Sequence, residues 1–182
     1  MKTKVKKRTW IALLNLLFLF TAVNAQPVRQ YLHEGWNFRQ ARGTNWYAAT
    51  VPGTVHTDLM DNKLIDDPFY RLNERGVQWV DKEDWIYRTT FDVTPELLAK
   101  KNIVLHFEGL DTYADVTLNG KKILSADNMF CKWQADVRSL LKEHGNELQV
   151  YLHSPIKIAM PKWEAVPFQY RSSNDQSENG GL

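Results

Sequence analysis

An all-β fold, an antiparallel two-layer sandwich with one or two short helices, is what this sequence of 182 residues predicts. Three observations carry the prediction. Several short segments alternate apolar and polar residues with a period of two, which puts one set of side chains on each face of a strand. An Asn119-Gly120 dipeptide separates two such segments and supplies the two positive-φ positions of a tight hairpin turn. Helical periodicity is sparse, and strands do not alternate with long helices as they would around a parallel sheet.

Taken in chain order, the first 25 residues stand apart. Lys2, Lys4, Lys6, Lys7 and Arg8 precede an apolar run over residues 11–23, and Val23 and Ala25 are small enough for signal-peptidase cleavage. The run, interrupted by Asn15, spans about 13 residues against the roughly 20 that a membrane-crossing helix needs. A cleaved signal peptide at 1–25 is therefore expected, with the mature protein beginning at Gln26, exported to a periplasmic or extracellular destination and not inserted in the membrane.

The next elements follow from pattern. Val55 and Leu59, framed by Gly53, make an amphipathic turn and predict a short helix over 54–62. Trp85, Tyr87, Thr89 and Phe91 oppose Ile86, Arg88 and Thr90 and predict a strand. Ile103, Leu105 and Phe107 form a second set, and Ala114, Val116 and Leu118 a third, which the Asn119-Gly120 turn joins to a strand over 121–125. Val137, Leu140 and Leu141 fall at helical intervals with Gly145 at the exit, predicting one or two helical turns over 136–144. A strand over 147–153 follows, with Leu148, Val150 and Leu152 inward and Gln149, Tyr151 and His153 outward. From about residue 156 the pattern decays. Residues 171–182 are almost wholly polar and are expected to be a disordered end. One domain, over 26–170, is what the length allows.

Composition narrows the function. The leader holds five of the 23 basic residues and none of the 21 acidic ones, so without it the net charge is about −3, and no Lys/Arg cluster in the rest forms a phosphate-binding face. Nucleic acid is excluded as an expected partner. Cys131 is the single cysteine, so stability must come from packing, without an intrachain disulfide. His56 and His153 lack partners at zinc spacing, Asp66-Asp67 is too small a cluster for calcium, and no residue set points to a cofactor.

Residues 51–88 contain one long signature: Val-Pro-Gly-Thr-Val-His-Thr-Asp-Leu at 51–59, Asp-Pro-Phe-Tyr-Arg at 67–71, Asn73-Glu74, Trp79-Val80 and Asp-Trp-Ile-Tyr-Arg at 84–88. Together with Gly-Trp-Asn-Phe at 35–38 and Phe-Glu-Gly-Leu-Asp-Thr at 107–112, it resembles the amino-terminal domain of β-mannosidases in glycoside hydrolase family 2, over about residues 28–155. The resemblance implies a jelly-roll β-sandwich of the galactose-binding type. It also implies that the parent enzyme removes terminal β-mannose with retention of configuration, using two carboxylates in a later barrel domain that packs in cis on this sandwich. On that reading this chain is a truncated, non-catalytic module, inactive alone. A free-standing carbohydrate-binding module is the alternative.

Candidate site residues follow from the resemblance and from local chemistry. Asn73 matches a position that approaches the sugar pocket, with Asp67, Arg71 and Glu74 as supporting polar groups; the competing role of this loop is domain contact. Sugars stack on indole rings. Trp36 and Trp85 lie in strand patterns and are expected inside, whereas Trp79 and Trp163 are candidates for an exposed platform or an interdomain contact. The mature chain's glutamates are scattered through edges and loops, and no pair is expected to form the carboxylate dyad that retention requires.

Overall fold

Residues 27–168 are described by a computed structural model of the chain, and those from Tyr31 onward form one compact unit. The expected leader and the polar end at 171–182 lie outside these residues. Eight strands are found among them: β1 Asn37–Gln40, β2 Tyr47–Ala48, β3 Trp85–Phe91, β4 Val104–Phe107, β5 Ala114–Leu118, β6 Lys121–Ala126, β7 Trp133–Asp136 and β8 Asn146–Leu152. They form a six-stranded sheet in the order β2-β1-β3-β8-β5-β6 and a two-stranded sheet of β4 and β7. Every pairing is antiparallel.

Alternation decides which face is buried. Phe38, Tyr87, Val150 and Val116 lie side by side across β1, β3, β8 and β5, all on the inner face. Ile103, Leu105, Phe107, Trp133 and Ala135 of the smaller sheet's side join the same core, closing the sandwich. Each fully buried aliphatic or aromatic side chain contributes about 1.5–3 kcal/mol relative to leaving it in water. Trp36 and Trp85 are buried as expected.

Asn119 and Gly120 adopt φ of 51° and 78°, and the hairpin they close joins β5 to β6 as the dipeptide predicts. Asn119 also spans strands: its Oδ1 accepts from the Glu147 amide (2.9 Å), and its Nδ2 donates to the Leu140 carbonyl (2.8 Å) and to Asn146 Oδ1 (3.0 Å). Asn146 is wholly buried. It accepts from the Lys142 amide (2.9 Å) and donates to the Lys142 carbonyl (2.7 Å) and the Phe91 carbonyl (3.3 Å). This clip explains a difference from the expected helical turns over 136–144. The Val137 carbonyl does receive the Leu140 and Leu141 amides (2.9 and 3.2 Å), but Asn146 then takes both backbone groups of Lys142, and the segment is a single turn.

Helix α1, Val55–Asp61, occupies its expected place, because Thr54 and Thr57 cap it reciprocally: the Thr57 amide reaches Thr54 Oγ1 (3.2 Å) and the Thr54 amide reaches Thr57 Oγ1 (3.1 Å). A four-residue helix α2, Pro95–Leu98, is capped by Thr94. Helix α3, Pro155–Glu164, stands where the sequence pattern decays. Ser154 accepts from the Lys157 amide (3.1 Å) and Pro155 takes the first helical position, where its missing N–H is no loss.

The register places loops with purpose. Gln40, Trp85, Leu152, Ala114 and Ala126 lie in one row at the same end of the large sheet, so residues 41–46, 62–84, 108–113, 127–132 and 153 onward all leave from that end. At the sheet's margins, β2 is two residues long, and β6 carries exposed Lys121 and Lys122 beside a register shift at Val116 and Thr117.

Candidate functional site

At the loop end, residues 62–84 build a cleft of about 430 Å³ whose lining includes Lys63, Asp66, Leu72, Asn73, Val77 and Trp79. Helix α1 sets its entrance. Lys63, in the left-handed conformation (φ 58°), turns the chain out of the helix as its amide bonds the Met60 carbonyl (2.8 Å). Beyond it, Asp67 organises the loop: its Oδ1 accepts from the Phe69 amide (2.9 Å), and its carbonyl receives the Tyr70 amide (3.1 Å) and Asn73 Nδ2 (3.0 Å). Asn73 then opens a 3₁₀ turn, Asn73–Val77, that buries Val77. Trp79 lies against Trp85, with ring centroids 5.9 Å apart, and keeps 38% of its surface exposed.

Of the five residues singled out from the sequence, Asn73 and Trp79 line this cleft, while Asp67, Arg71 and Glu74 lie outside its lining. Asp67 shapes the loop, Arg71 (φ 56°) stacks its guanidinium 5.1 Å from the Tyr70 ring, and Glu74 contributes its carbonyl to Gln78 Nε2 (3.0 Å). Lys63 and Leu72 were not legible as lining residues, because the helix exit and the 3₁₀ turn that bring them together leave no periodic trace. Trp163, the other candidate platform, is half-buried on α3. Asp66 is the one carboxylate of the lining, where retaining glycoside hydrolysis needs two at roughly 5–5.5 Å. With a single carboxylate in its lining, the cleft has no acid and nucleophile pair. Among the described residues, no three His, Cys, Asp or Glu side chains converge on a metal-sized site.

Two of the shifted carboxylates belong to the large sheet and its loop end: Asp84 beside the start of α3, and Asp115 on β5. Burial works to raise the Asp84 pKa, yet the Ser154 amide (2.8 Å), the Tyr151 hydroxyl (3.0 Å) and the Lys157 ammonium (3.4 Å) outweigh it and hold the group below the ordinary carboxylate range. Asp115 is drawn down to about 2, first by Lys122 (2.6 Å) and then by the Ser125 hydroxyl (2.7 Å), with His153 (3.3 Å) adding to them against burial. A depressed carboxyl stabilises the fold above its unfolded pKa and loses that contribution as pH falls through the folded value. The urea midpoint is therefore expected to fall as pH drops from about 4 to about 2, and to fall less in Asp84→Asn/Asp115→Asn, as equilibrium unfolding across that range will measure.

A family model described as "Glycosyl hydrolase 2 galactose-binding domain-like" matches residues 36–180. The chain belongs to this glycoside hydrolase family 2 domain family. Within it, the chain is 44% identical over 126 residues to "Beta-mannosidase B" of Thermothelomyces thermophilus, covering 68% of this chain and 15% of that protein. It is 33% identical over 148 residues to "Beta-mannosidase" of Mus musculus, covering 81% and 17%. The crystal structure of Beta-D-Mannosidase from Dictyoglomus thermophilum superposes with a TM-score of 0.74 at 47% identity, over 79% of this chain and 18% of that one. The chain thus spans about a sixth of the length of these relatives, and the galactose-binding-like domain is the part it shares with them.

Proposed function

We propose that this galactose-binding-like sandwich is the non-catalytic module of an exported β-mannosidase, packing on a catalytic barrel and helping to close its sugar pocket. The observation that carries the reading is the pairing of close likeness to β-mannosidases with a cleft that holds one carboxylate. In this role Asn73 keeps its Nδ2 on the Asp67 carbonyl, leaving Oδ1 to accept from a sugar hydroxyl at the pocket rim. Trp79 offers an apolar ring edge beside it. Exposed Phe69, Tyr70 and Leu72, on the same loop, form the surface toward the barrel.

The domain alone is expected to leave an aryl β-mannoside intact and to give no heat with mannose or mannobiose in titration calorimetry. Placed in the Dictyoglomus enzyme in exchange for its matching domain, it is expected to support hydrolysis, and Asn73→Ala in that hybrid to lower kcat/KM by about tenfold, one lost hydrogen bond to substrate. Hydrolysis by the isolated chain would overturn the reading. Mannobiose binding by the isolated chain would favour a free-standing carbohydrate-binding module instead. Export is supported by the basic and apolar segments of the leader, and the described residues include no helix long and apolar enough to cross a membrane. Amino-terminal sequencing of the secreted protein is expected to begin at Gln26; an intact Met1 would refute cleavage.

A further inference from the structure

Phe130 is 86% exposed, at the tip of the loop between β6 and β7. An aromatic side chain so placed sacrifices the hydrophobic stabilisation that burial would give it. The loop backbone that carries it is nonetheless held in a defined turn. The Phe130 amide donates to Asn128 Oδ1 (2.9 Å), and Trp133 Nε1 donates to the Asn128 carbonyl (3.1 Å). The neighbouring loop braces it from the side: Thr112 Oγ1 reaches Met129 Sδ (3.9 Å), and Lys132 Nζ pairs with Glu108 (2.6 Å). A side chain at Gly109 would stand 3.6 Å from the Met129 carbonyl, so the two loops lie against one another. A large aromatic group presented to solvent on a loop whose backbone is already held has the anatomy of an interface anchor, because on association only the ring's own rotamers remain to be ordered.

The strand register places Phe130 at the loop end of the sandwich. Residues 127–132 leave the sandwich from the same end as residues 62–84, where Phe69, Tyr70, Leu72 and Trp79 are exposed. The opposite end presents the Asn119-Gly120 turn, Lys100, Lys101, Glu143 and His144. Exposed aromatic side chains thus gather at the loop end, among charged residues such as Asp66, Asp67, Arg71 and Glu74. The relatives carry more than four-fifths of their length outside the region matched here, so a large surface is available in cis to cover these exposed aromatic residues.

We infer that the Met129–Phe130 tip is a second docking point, distinct from the cleft loop, through which the sandwich seats on the catalytic barrel of its own enzyme. The inference rests on the proposed function and extends it: one contact flanks the sugar cleft, and the other fixes the angle at which the cleft meets the barrel. The barrel surface facing the tip is an apolar socket that admits one phenyl ring. Its rim is basic, to meet exposed Asp111 and Asp127.

Hydrogen exchange tests this without any substitution, by comparing the 182-residue chain with the hybrid in which it replaces the matching domain of the Dictyoglomus enzyme. Amides of residues 129–132 are expected to exchange at least tenfold more slowly in the hybrid, as are those of residues 67–79. Slowing at 67–79 with no change at 129–132 would overturn this inference and leave the proposed function standing; no change at either would overturn both. Slowing of 129–132 in the isolated chain on adding mannobiose would also overturn it, making the tip a sugar platform. As a second readout, Phe130→Ser is expected to shorten the hybrid's half-life at elevated temperature about tenfold while leaving the Tm of the 182-residue chain unchanged. An equal loss in both would mean that Phe130 serves only its own loop.

Discussion

Replacing Asp58 with alanine will destabilise the domain by about 3–4 kcal/mol, because it removes at once the acceptor of a buried hydroxyl and of a part-buried backbone amide. Asp58 is 1% exposed on α1. Its Oδ1 accepts from the Thr50 amide (2.8 Å) and its Oδ2 from the Tyr87 hydroxyl (2.7 Å) on β3. Burial, with the carboxylate beside it, pushes the Tyr87 pKa far up, so the phenol stays a donor throughout the ordinary pH range. Asp58→Asn retains an oxygen acceptor and is expected to be milder, by about 1 kcal/mol. Tyr87→Phe combined with Asp58→Ala in a double-mutant cycle should return a coupling of about 1.5–3 kcal/mol in urea unfolding, the size of a hydrogen bond to a charged group. Additive effects would show that the pair is not coupled. The consequence reaches the cleft: Asp58 ties α1 to the sheet, and α1 delivers Lys63 to the lining, so the loop beyond it should lose protection along with global stability.

Phe38→Ala is expected to be at least as damaging, about 3–5 kcal/mol, by the combined loss of transfer free energy and opening of a cavity. Phe38 is 0% exposed at the centre of β1. Its ring lies 5.5 Å from Tyr87, 5.8 Å from Trp85 and 6.1 Å from Tyr47, so it is the hub of an aromatic cluster joining β1, β2 and β3. Phe38→Leu fills most of the same volume and is expected to cost under about 1.5 kcal/mol. Urea denaturation distinguishes the two, and equal midpoints for both variants would show that shape at this position is immaterial. With the cluster loosened, tryptophan fluorescence should report the change directly, since Trp85 and, through it, Trp79 share the contact.

The elements legible in the sequence were those specified by neighbours. Asn119-Gly120 encodes its own backbone, the alternation in 85–91 and 114–118 encodes burial on one face, and Thr54 encodes a helix start. What escaped depends on partners distant along the chain. The turn at 137–141 is cut short by Asn146, whose amide bonds backbone on both sides of it, and no helical spacing reveals that competition. Helix α3 did carry a signal, Ser154 followed by Pro155, but Pro161 within it and the weak apolar pattern after residue 156 obscured it. The Asp58 to Tyr87 bond joins residues 29 apart. For the site, Asn73 was singled out through family likeness and Trp79 through the chemistry of its indole ring, while Lys63 and Leu72 enter the lining only once α1 and the 3₁₀ turn are folded.

The two margins of the large sheet bear on how the molecule meets copies of itself. A strand of two residues at one margin, and at the other a strand beginning with paired lysines next to a shifted register, leave no straight run of open amides for a neighbouring chain to zip onto. The large sheet is thereby guarded against cross-β growth at its margins. At these two margins the domain must grip other molecules with side chains and not with its backbone.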